Sequence, residues 1–376
     1  MNEVEEITRG DTTVVMVNGY DAARQALSER SISKQLDAAS MDLPGDLHTG
    51  TIRSVLFSDP PDHTRLRRLV SRAFTSQRIE SMRPHIEKAA HELLDAIEGQ
   101  DTVDLVESFA LPLPFEVVSA LLGIPSSSRG EFRAWTEMVA DPARRDEWTP
   151  HLARLLDVIR ELVADRRAHP GDGLLSELIA ARDGEDRLSE DELTSMVFVL
   201  LVAGTETTIN LIGTGVFRLI EDRSRWERLR SDPDLLPAAV EELVRFDSPA
   251  TTTTSRVVTE AFEVAGHVVP AGSPLVVNLA AANRDPSVFT DPDELRLDRR
   301  HNPHLGFGHG IHYCVGAPLA RLEARIAFEV LMERFPHLDL EVSAPEPVWR
   351  EDFLRGLFTV PVRPRGGSGT PSPSES

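Results

Sequence analysis

The stretch GFGHGIHYCVGAPLARLEARIA, from Gly306 to Ala327, contains Cys314, the only cysteine in a chain of 376 residues. Pro318 suits the first turn of a helix, so Cys314 is predicted to lie just before a helix N-terminus. The amides and the positive dipole end of such a helix stabilise a thiolate. The pattern therefore predicts a cysteine presented by a glycine-rich loop.

Three roles are open to this cysteine. A free cysteine is often a small buried hydrophobe, but glycines at 308, 310 and 316 are typical of backbone that approaches another group closely. A zinc site is the second role, although structural zinc usually takes ligand pairs from two separate elements. Its candidate ligands are His304, His309, His312 and Cys314. The third role is the axial thiolate of a haem, which also needs a flat apolar wall and cations for two propionates.

The segment Phe307–Gly316 reads F-G-x-G-x-H-x-C-x-G and resembles the cysteine loop of cytochrome P450 at every fixed position. The resemblance implies the cytochrome P450 fold, which is mainly α with a small β-rich region. It also implies haem b as cofactor, with Cys314 as the axial ligand of the iron. Phe307, His312 and Gly316 are then expected to contact the haem.

A second motif lies in the apolar segment LLVAGTETTINLIGTG. Burying Glu206 there is costly unless the carboxylate is solvated, paired or protonated, and threonine hydroxyls can bond the carbonyl one turn back and open a helix. Taken alone, an internal helix with a tolerated glutamate explains the pattern equally well. Ala203–Thr207 resembles the family's A-G-x-[D/E]-T segment, which implies that Ala203 and Gly204 face the haem. Glu206 and Thr207 would relay protons to dioxygen.

Glu242 and Arg245 have the spacing of an ordinary ion pair on a helix surface. By resemblance they match the family's E-x-x-R pair, with Arg299 as its third member and Arg300 as the competing choice. This trio is expected to hold the haem-loop region in place. The resemblance also implies partners for the propionates, each of which is otherwise a solvated surface charge. These partners are His63, Arg67, Arg256 and His312.

The remaining pattern is predominantly helical. A strand is predicted at Thr12–Met16, and helices dominate from residue 62, one of them starting after a capping serine, Ser189. Alternating residues predict short strands over 256–279, with turns at 265–266 and 270–272. A last strand pair is predicted around 358–362.

Residues 1–365 are expected to form a single haem domain, and 366–376, GGSGTPSPSES, a disordered tail. Bacterial members of the family carry a further helix and strand ahead of the segment matching VVMVNGYDAA. The N-terminal element is therefore expected to be short.

Composition limits the partners and the location. The net charge of -21 and pI of about 5.0 argue against a nucleic-acid partner. The lone cysteine favours an intracellular protein, and the apolar run Met196–Ala203 is too short to cross a bilayer. We expect a cytoplasmic monomer with no membrane partner.

The expected function is a monooxygenase that inserts one atom of O2 into a C–H or C=C bond. A lone cysteine leaves no iron–sulfur cluster and the length leaves no flavin domain, so electrons are expected from a separate ferredoxin with its reductase. Arginines 68, 72, 321 and 325 are expected to form a basic patch for that carrier.

The substrate is expected to be a small apolar natural product, because phrases such as HLGFGHGIHYCVGAPLARLEARIA are similar to actinobacterial secondary-metabolism members. A macrolide, polyketide or peptide is favoured over a fatty acid or terpenoid. The expected pocket includes the loop 40–54 and the residues Leu200, Ala203, Thr251, Thr252 and Leu354.

Two alternatives stay open. The chain could be a non-catalytic partner of a biosynthetic enzyme, in which case loss of the cysteine or of the acid–threonine pair is expected. It could also be a peroxide-driven haem enzyme, in which another acid is expected in place of Glu206-Thr207. The chain keeps Cys314, Glu206 and Thr207, which favours the monooxygenase.

Overall fold

A computed structural model describes residues 2–9, 12–35, 51, 53–125, 129–130, 132, 148–171, 173–180, 188–341, 343–351 and 353–365. The predicted tail at 366–376 and most of the loop 40–54 lie outside these residues.

Helices make up most of the described chain. They are α1 (Tyr20–Ser28), α2 (Asp62–Ser71), α3 (Ser76–Ser81), α4 (Arg83–Asp95), α5 (Pro112–Leu122), α6 (Trp148–Ala168), α7 (Leu174–Ala180), α8 (Glu190–Ile220), α9 (Arg223–Ser231), α10 (Leu236–Phe246), α11 (Leu279–Ala282) and α12 (Ala317–Arg334). Shorter turns of 3₁₀-helix cover Arg72–Phe74, Pro233–Leu235 and Gly310–His312, and a π-helix covers Val106–Ala110.

The strands are short. They are β1 (Val4–Arg9), β2 (Thr12–Val17), β3 (Ile32–Ser33), β4 (Val103–Asp104), β5 (Arg256–Val258), β6 (Phe262–Val264), β7 (His267–Val269), β8 (Pro274–Val277), β9 (Asp339–Leu340), β10 (Trp349–Glu351), β11 (Arg355–Leu357) and β12 (Pro361–Arg363). The predicted strands over 256–279 are confirmed as β5 to β8.

Helix α8 is the central element of the helical core. Its start is confirmed, because Ser189 and Glu192 form a reciprocal capping box. The helix packs against α5, α6 and α12, which bury its apolar residues. By length and composition alone, α8 is long and apolar enough to cross a membrane. The apolar segment is therefore longer than the run 196–203 indicated from the sequence. However, 67% of its most apolar window is buried inside the fold, as expected of a core helix.

A five-stranded sheet has the order β1-β2-β8-β5-β3 and packs on α1 with its own smaller apolar core. Strand β1 was not anticipated from the pattern; it pairs antiparallel with β2, Val4 opposite Val17. The prediction of a local strand pair around 358–362 is wrong, because the strand there, β12, pairs with the distant strands β4 and β9. The local hairpin is instead β10–β11, just upstream.

Candidate functional site

The cysteine loop runs from the 3₁₀ turn Gly310–His312 into α12, which begins at Ala317 with Pro318 in its first turn. The amide of Cys314 donates to the carbonyl of Phe307 at 2.9 Å, which closes the loop. Gly310 has a φ of 72°, and a Cβ there would lie 2.5 Å from the carbonyl oxygen of Leu27. The loop therefore requires glycine for both its conformation and its contact with α1.

Cys314 is exposed, yet desolvation by the neighbouring protein raises the pKa of its thiol. The amides of Gly316 and Ala317 and the guanidinium groups of Arg67 and Arg321 lower it, to a smaller extent. The predicted helix start supplies the stabilising amides, yet burial outweighs them. A cation bound directly at the sulfur would reverse that balance.

The acid–threonine segment lies on α8. The hydroxyl of Thr207 donates to the carbonyl of Ala203 at 2.8 Å, and that of Thr208 to Gly204 at 3.1 Å, as threonines bonding one turn back do. Ala203 is exposed and Thr207 half-buried, so this side of the core helix faces open space. Glu206 is buried and its Oε2 accepts a hydrogen bond from Nη1 of Arg350 at 3.0 Å.

A buried group of cations and imidazoles lies between α2, β5 and the cysteine loop. The rings of His63 and His312 are 4.4 Å apart, and Arg256 is 5% exposed. Burial, followed by the charges of His63, Lys34, Arg256 and Arg67, lowers the pKa of His312 to about 2. The predicted residue Arg67 donates from Nη1 to the carbonyl of Tyr313 at 2.6 Å, so here it supports the loop.

This cationic cluster, defined as Lys34, His63, Arg67, Arg256 and His312, is short of negative charge. Asp59 is the acid that acts on Lys34 and Arg256, but its carboxylate accepts the amide of Lys34 at 2.9 Å and the hydroxyl of Ser33. Nε2 of His63 and Nε of Arg256 are buried without a partner in the described part of the chain. Buried donors and charges in this state are costly without an anion.

The E-x-x-R segment lies on α10. Nε and Nη2 of Arg245 donate to the carboxylate of Glu242 at 2.8 and 2.9 Å, and both side chains are fully buried. Arg299 donates from Nε to Glu242 Oε2 at 2.9 Å, while the competing Arg300 is exposed. Arg245 also bonds the carbonyls of Asn283, Pro292 and Glu294. The trio thus ties α10 to the segment that leads to the cysteine loop.

The predicted pocket residues fall in two groups. Leu200 and Ala203 lie about one turn apart on α8, with Leu200 buried. Thr251 and Leu354 meet across the chain, since the amide of Thr251 donates to Phe353 O at 3.0 Å and Ala250 pairs with Leu354. Thr252 is buried, and its hydroxyl has no partner among the described residues.

The zinc interpretation of Cys314 is not supported. Within the described residues no three His, Cys, Asp or Glu side chains converge in a way that could hold a metal ion. The histidines nearest in sequence are directed elsewhere. His304 bonds Glu241 at 3.1 Å, and the ring of His312 packs at a tilt against that of His63.

Comparison with known proteins shows the family to which the cysteine loop belongs. The cytochrome P450 family model matches residues 2–140 and 145–362. The chain belongs to the cytochrome P450 family. It is 43% identical to cytochrome P450 107B1 and 42% identical to 6-deoxyerythronolide B hydroxylase, both of Saccharopolyspora erythraea. In each case the match covers 93% of this chain and 89% of the relative.

Solved structures confirm the P450 fold. The tirandamycin C-bound P450 monooxygenase TamI superimposes with a TM-score of 0.88 at 39% sequence identity. The match covers 96% of this chain and 94% of that one. The mainly α class with a small β-rich region is therefore confirmed. The protein is a P450 monooxygenase that uses haem b, O2 and electrons from a redox partner.

The residues of this P450 fit a haem. The single cysteine lies on a loop whose backbone amides face the sulfur, and a dianion such as the two propionates would satisfy the orphaned donors of His63 and Arg256. A carboxylate-bearing flat cofactor thus supplies what the cationic cluster lacks.

Three charged residues of this P450 were missed from the sequence. Lys34 is 2% exposed, and its Nζ contacts the hydroxyl of Thr254. Glu323 on α12 is 1% exposed, and burial raises the pKa of its carboxyl well above the usual value. Arg350 contacts Glu206. Only Lys34 had a signal in the sequence that could have drawn attention to it, because Lys34 and Lys88 are the only lysines in the chain.

Proposed function

We propose that this P450 oxidises a small apolar natural product of the macrolide, polyketide or peptide class, with Cys314 as the axial ligand of its haem. The observation that carries the proposal is the pairing of one cysteine on a glycine loop with a largely buried cationic cluster that is short of negative charge. The relatives' names support the substrate class, since they include a 6-deoxyerythronolide B hydroxylase and a tirandamycin C-bound monooxygenase.

In this proposal the thiolate of Cys314 would bind the iron, Phe307 and Gly316 shape its loop, and Ala203 and Gly204 of α8 would leave room for the haem. Lys34, His63, Arg256 and His312 would hold its propionates. Arg67 adds charge while it holds the carbonyl of Tyr313. Lys34 is the addition to the set expected from the sequence.

When bound, the haem would activate dioxygen, a reaction that consumes two electrons from the redox partner and two protons. The chain supplies the proton path. Thr207 Oγ1 donates to Ala203, which leaves its oxygen lone pairs to accept a bond from water. The carboxylate of Glu206 can take up a proton from solvent and pass it toward that water.

The substrate would lie between α8 and the segments 250–252 and 353–354. Leu200, Ala203 and Leu354 offer apolar surface, and Thr251 and Thr252 offer hydroxyls. Such a lining suits an apolar compound with a few oxygens. The affinities for 6-deoxyerythronolide B, tirandamycin C, myristic acid and testosterone can be compared by the shift of the haem absorption band. Tighter binding of the first two would support the proposed substrate class.

We propose a ferredoxin with its reductase as the redox partner, and a single cytoplasmic, monomeric haem domain over 1–365. The basic patch supports the ferredoxin, with one correction. Arg321 is bound to Glu241 at 2.6 and 2.8 Å and lies over the ring of Phe307, so it is not an open surface cation. Arg72 is exposed, and the half-buried Arg325 lines a groove of about 290 Å³.

The decisive experiment is the absorption spectrum of the dithionite-reduced protein with carbon monoxide, for wild type and Cys314→Ser. We expect the red-shifted Soret band typical of thiolate ligation in wild type and its loss in the variant. A wild-type protein that, after reconstitution with haem, lacks this band would overturn the assignment of Cys314.

A further inference from the structure

We propose that Arg350 is a positioning residue for Glu206, carried by the β10–β11 hairpin that also borders the substrate side. The inference rests on the proposed proton path through Glu206 and Thr207. It adds a residue from a distant part of the chain, and it makes the hairpin part of the catalytic apparatus.

The contact between Arg350 and Glu206 is largely buried. Nη1 of Arg350 donates to Oε2 of Glu206 at 3.0 Å, and the side chains are 15% and 7% exposed. The guanidinium also lies 5.2 Å from the centre of the Phe358 ring. Breaking such a buried pair by removing one member is costly, so the two side chains hold each other in place.

The hairpin that carries Arg350 is anchored firmly to its surroundings. In β11, a Cβ on Gly356 would lie 2.0 Å from Oδ1 of Asn210, so this strand is pressed directly against α8. Arg355 binds Asp247 at 3.2 Å, at the end of α10. The guanidinium of Arg350 therefore starts from a rigid base, which is what precise placement of a carboxylate requires.

The same hairpin reaches the substrate side at its tip. Phe353 O accepts the amide of Thr251 at 3.0 Å, and Leu354 pairs with Ala250. One short element thus contacts both the acid of the proton path and the segment proposed to line the pocket. By fixing Oε2 of Glu206, Arg350 fixes the direction in which the other carboxylate oxygen points.

The test compares Arg350→Met and Arg350→Lys with Glu206→Gln, which removes the acid itself. The control is Arg228→Met, which removes a guanidinium from an exposed surface pair with Asp298 and touches neither Glu206 nor the hairpin. The rate of NADH oxidation, with excess ferredoxin and reductase, is measured in H2O and D2O. We expect Arg350→Met to slow NADH oxidation roughly tenfold. Its solvent isotope effect should rise toward the value of the Glu206→Gln variant.

Arg350→Lys should recover much of the rate because it keeps a positive charge, and Arg228→Met should resemble wild type. If Glu206→Gln is slow while Arg350→Met behaves as wild type, the role of Arg350 is refuted and the proton path stands. If Glu206→Gln itself behaves as wild type, the proton path fails.

A readout that needs no turnover completes the test. Thermal unfolding of the haem-loaded wild type, Arg350→Met, Glu206→Gln and the double variant forms a double-mutant cycle. We expect the double variant to lose less melting temperature than the sum of the two single losses, because either single change already removes the contact between the two side chains. Additive losses would show that the two side chains do not interact and would overturn the proposal.

Discussion

Lys34 shows how a single buried charge can indicate a ligand. Its ammonium contacts Thr254 and lies 5.5 Å from the Phe57 ring centre, while burial and then Arg256 lower the pKa of the amine well below its usual value. A buried lysine in such a place is costly unless an anion accompanies it. A haem propionate would provide that anion and favour the charged amine.

We therefore expect Lys34→Met to weaken haem binding. Loss of one charge-assisted bond should speed haem transfer to apomyoglobin roughly tenfold, followed by absorption. Lys88→Met is the matched control, because Lys88 is an exposed lysine paired with Glu92 on α4. A Lys34→Met protein that keeps haem as long as the Lys88→Met protein would show that Lys34 does not bind the propionates.

Helix α10 depends on tertiary contacts for more than its apolar face. Glu242 is fully buried and accepts bonds from Arg245 and Arg299, and its Oε1 also accepts the amide of Arg296 at 2.9 Å. An i, i+3 ion pair on an exposed helix contributes little. Here the same spacing forms the centre of a buried network, because the segment 283–299 covers it.

Glu242→Gln should therefore destabilise the fold strongly. Leaving two buried guanidinium groups without their carboxylate should lower the free energy of unfolding by about 3 kcal/mol. The surface pair Arg228–Asp298, with side chains 47% and 45% exposed, is the control, and Asp298→Asn should cost less than about 1 kcal/mol. Urea unfolding measures both, and equal losses in the two variants would contradict the network.

The molecule as a whole is acidic, with a net charge of -21, yet arginines occur near the cysteine side. Arg72 follows α2 and Arg325 lies on α12, the helix that begins after the cysteine loop. An acidic carrier would be repelled by most of the surface and attracted locally. Such steering acts on the association rate and is screened by salt.

Arg72→Glu combined with Arg325→Glu should slow reduction by an acidic ferredoxin severalfold at low ionic strength, with the difference shrinking at high salt. Stopped-flow absorption measures the rate. The control combines Arg160→Glu and Arg230→Glu, which change the net charge equally on α6 and α9. Equal slowing in both double variants would show that net charge alone causes the effect and would contradict a local docking patch.

Much of this protein was predictable from local sequence. The cysteine loop, the segment Ala203–Thr207 and the E-x-x-R spacing each lie within a few consecutive residues, so the motif is complete in one stretch of chain. The capping serine and the strands over 256–279 were also readable, because capping and strand alternation are local properties. Strand β1 and the partners of β12 were not, since strand pairing depends on distant residues.

The sequence by itself determined the family, the axial cysteine candidate and the acid–threonine pair. Only the tertiary structure decided which charges meet. Lys34 contacts Thr254 across 220 residues, and Arg350 reaches Glu206 across 144. Burial and charge pairing depend on the packing of elements that are far apart in the chain, and no spacing rule encodes those contacts. For that physical reason the cationic cluster and the hairpin's link to Glu206 emerged only from the fold.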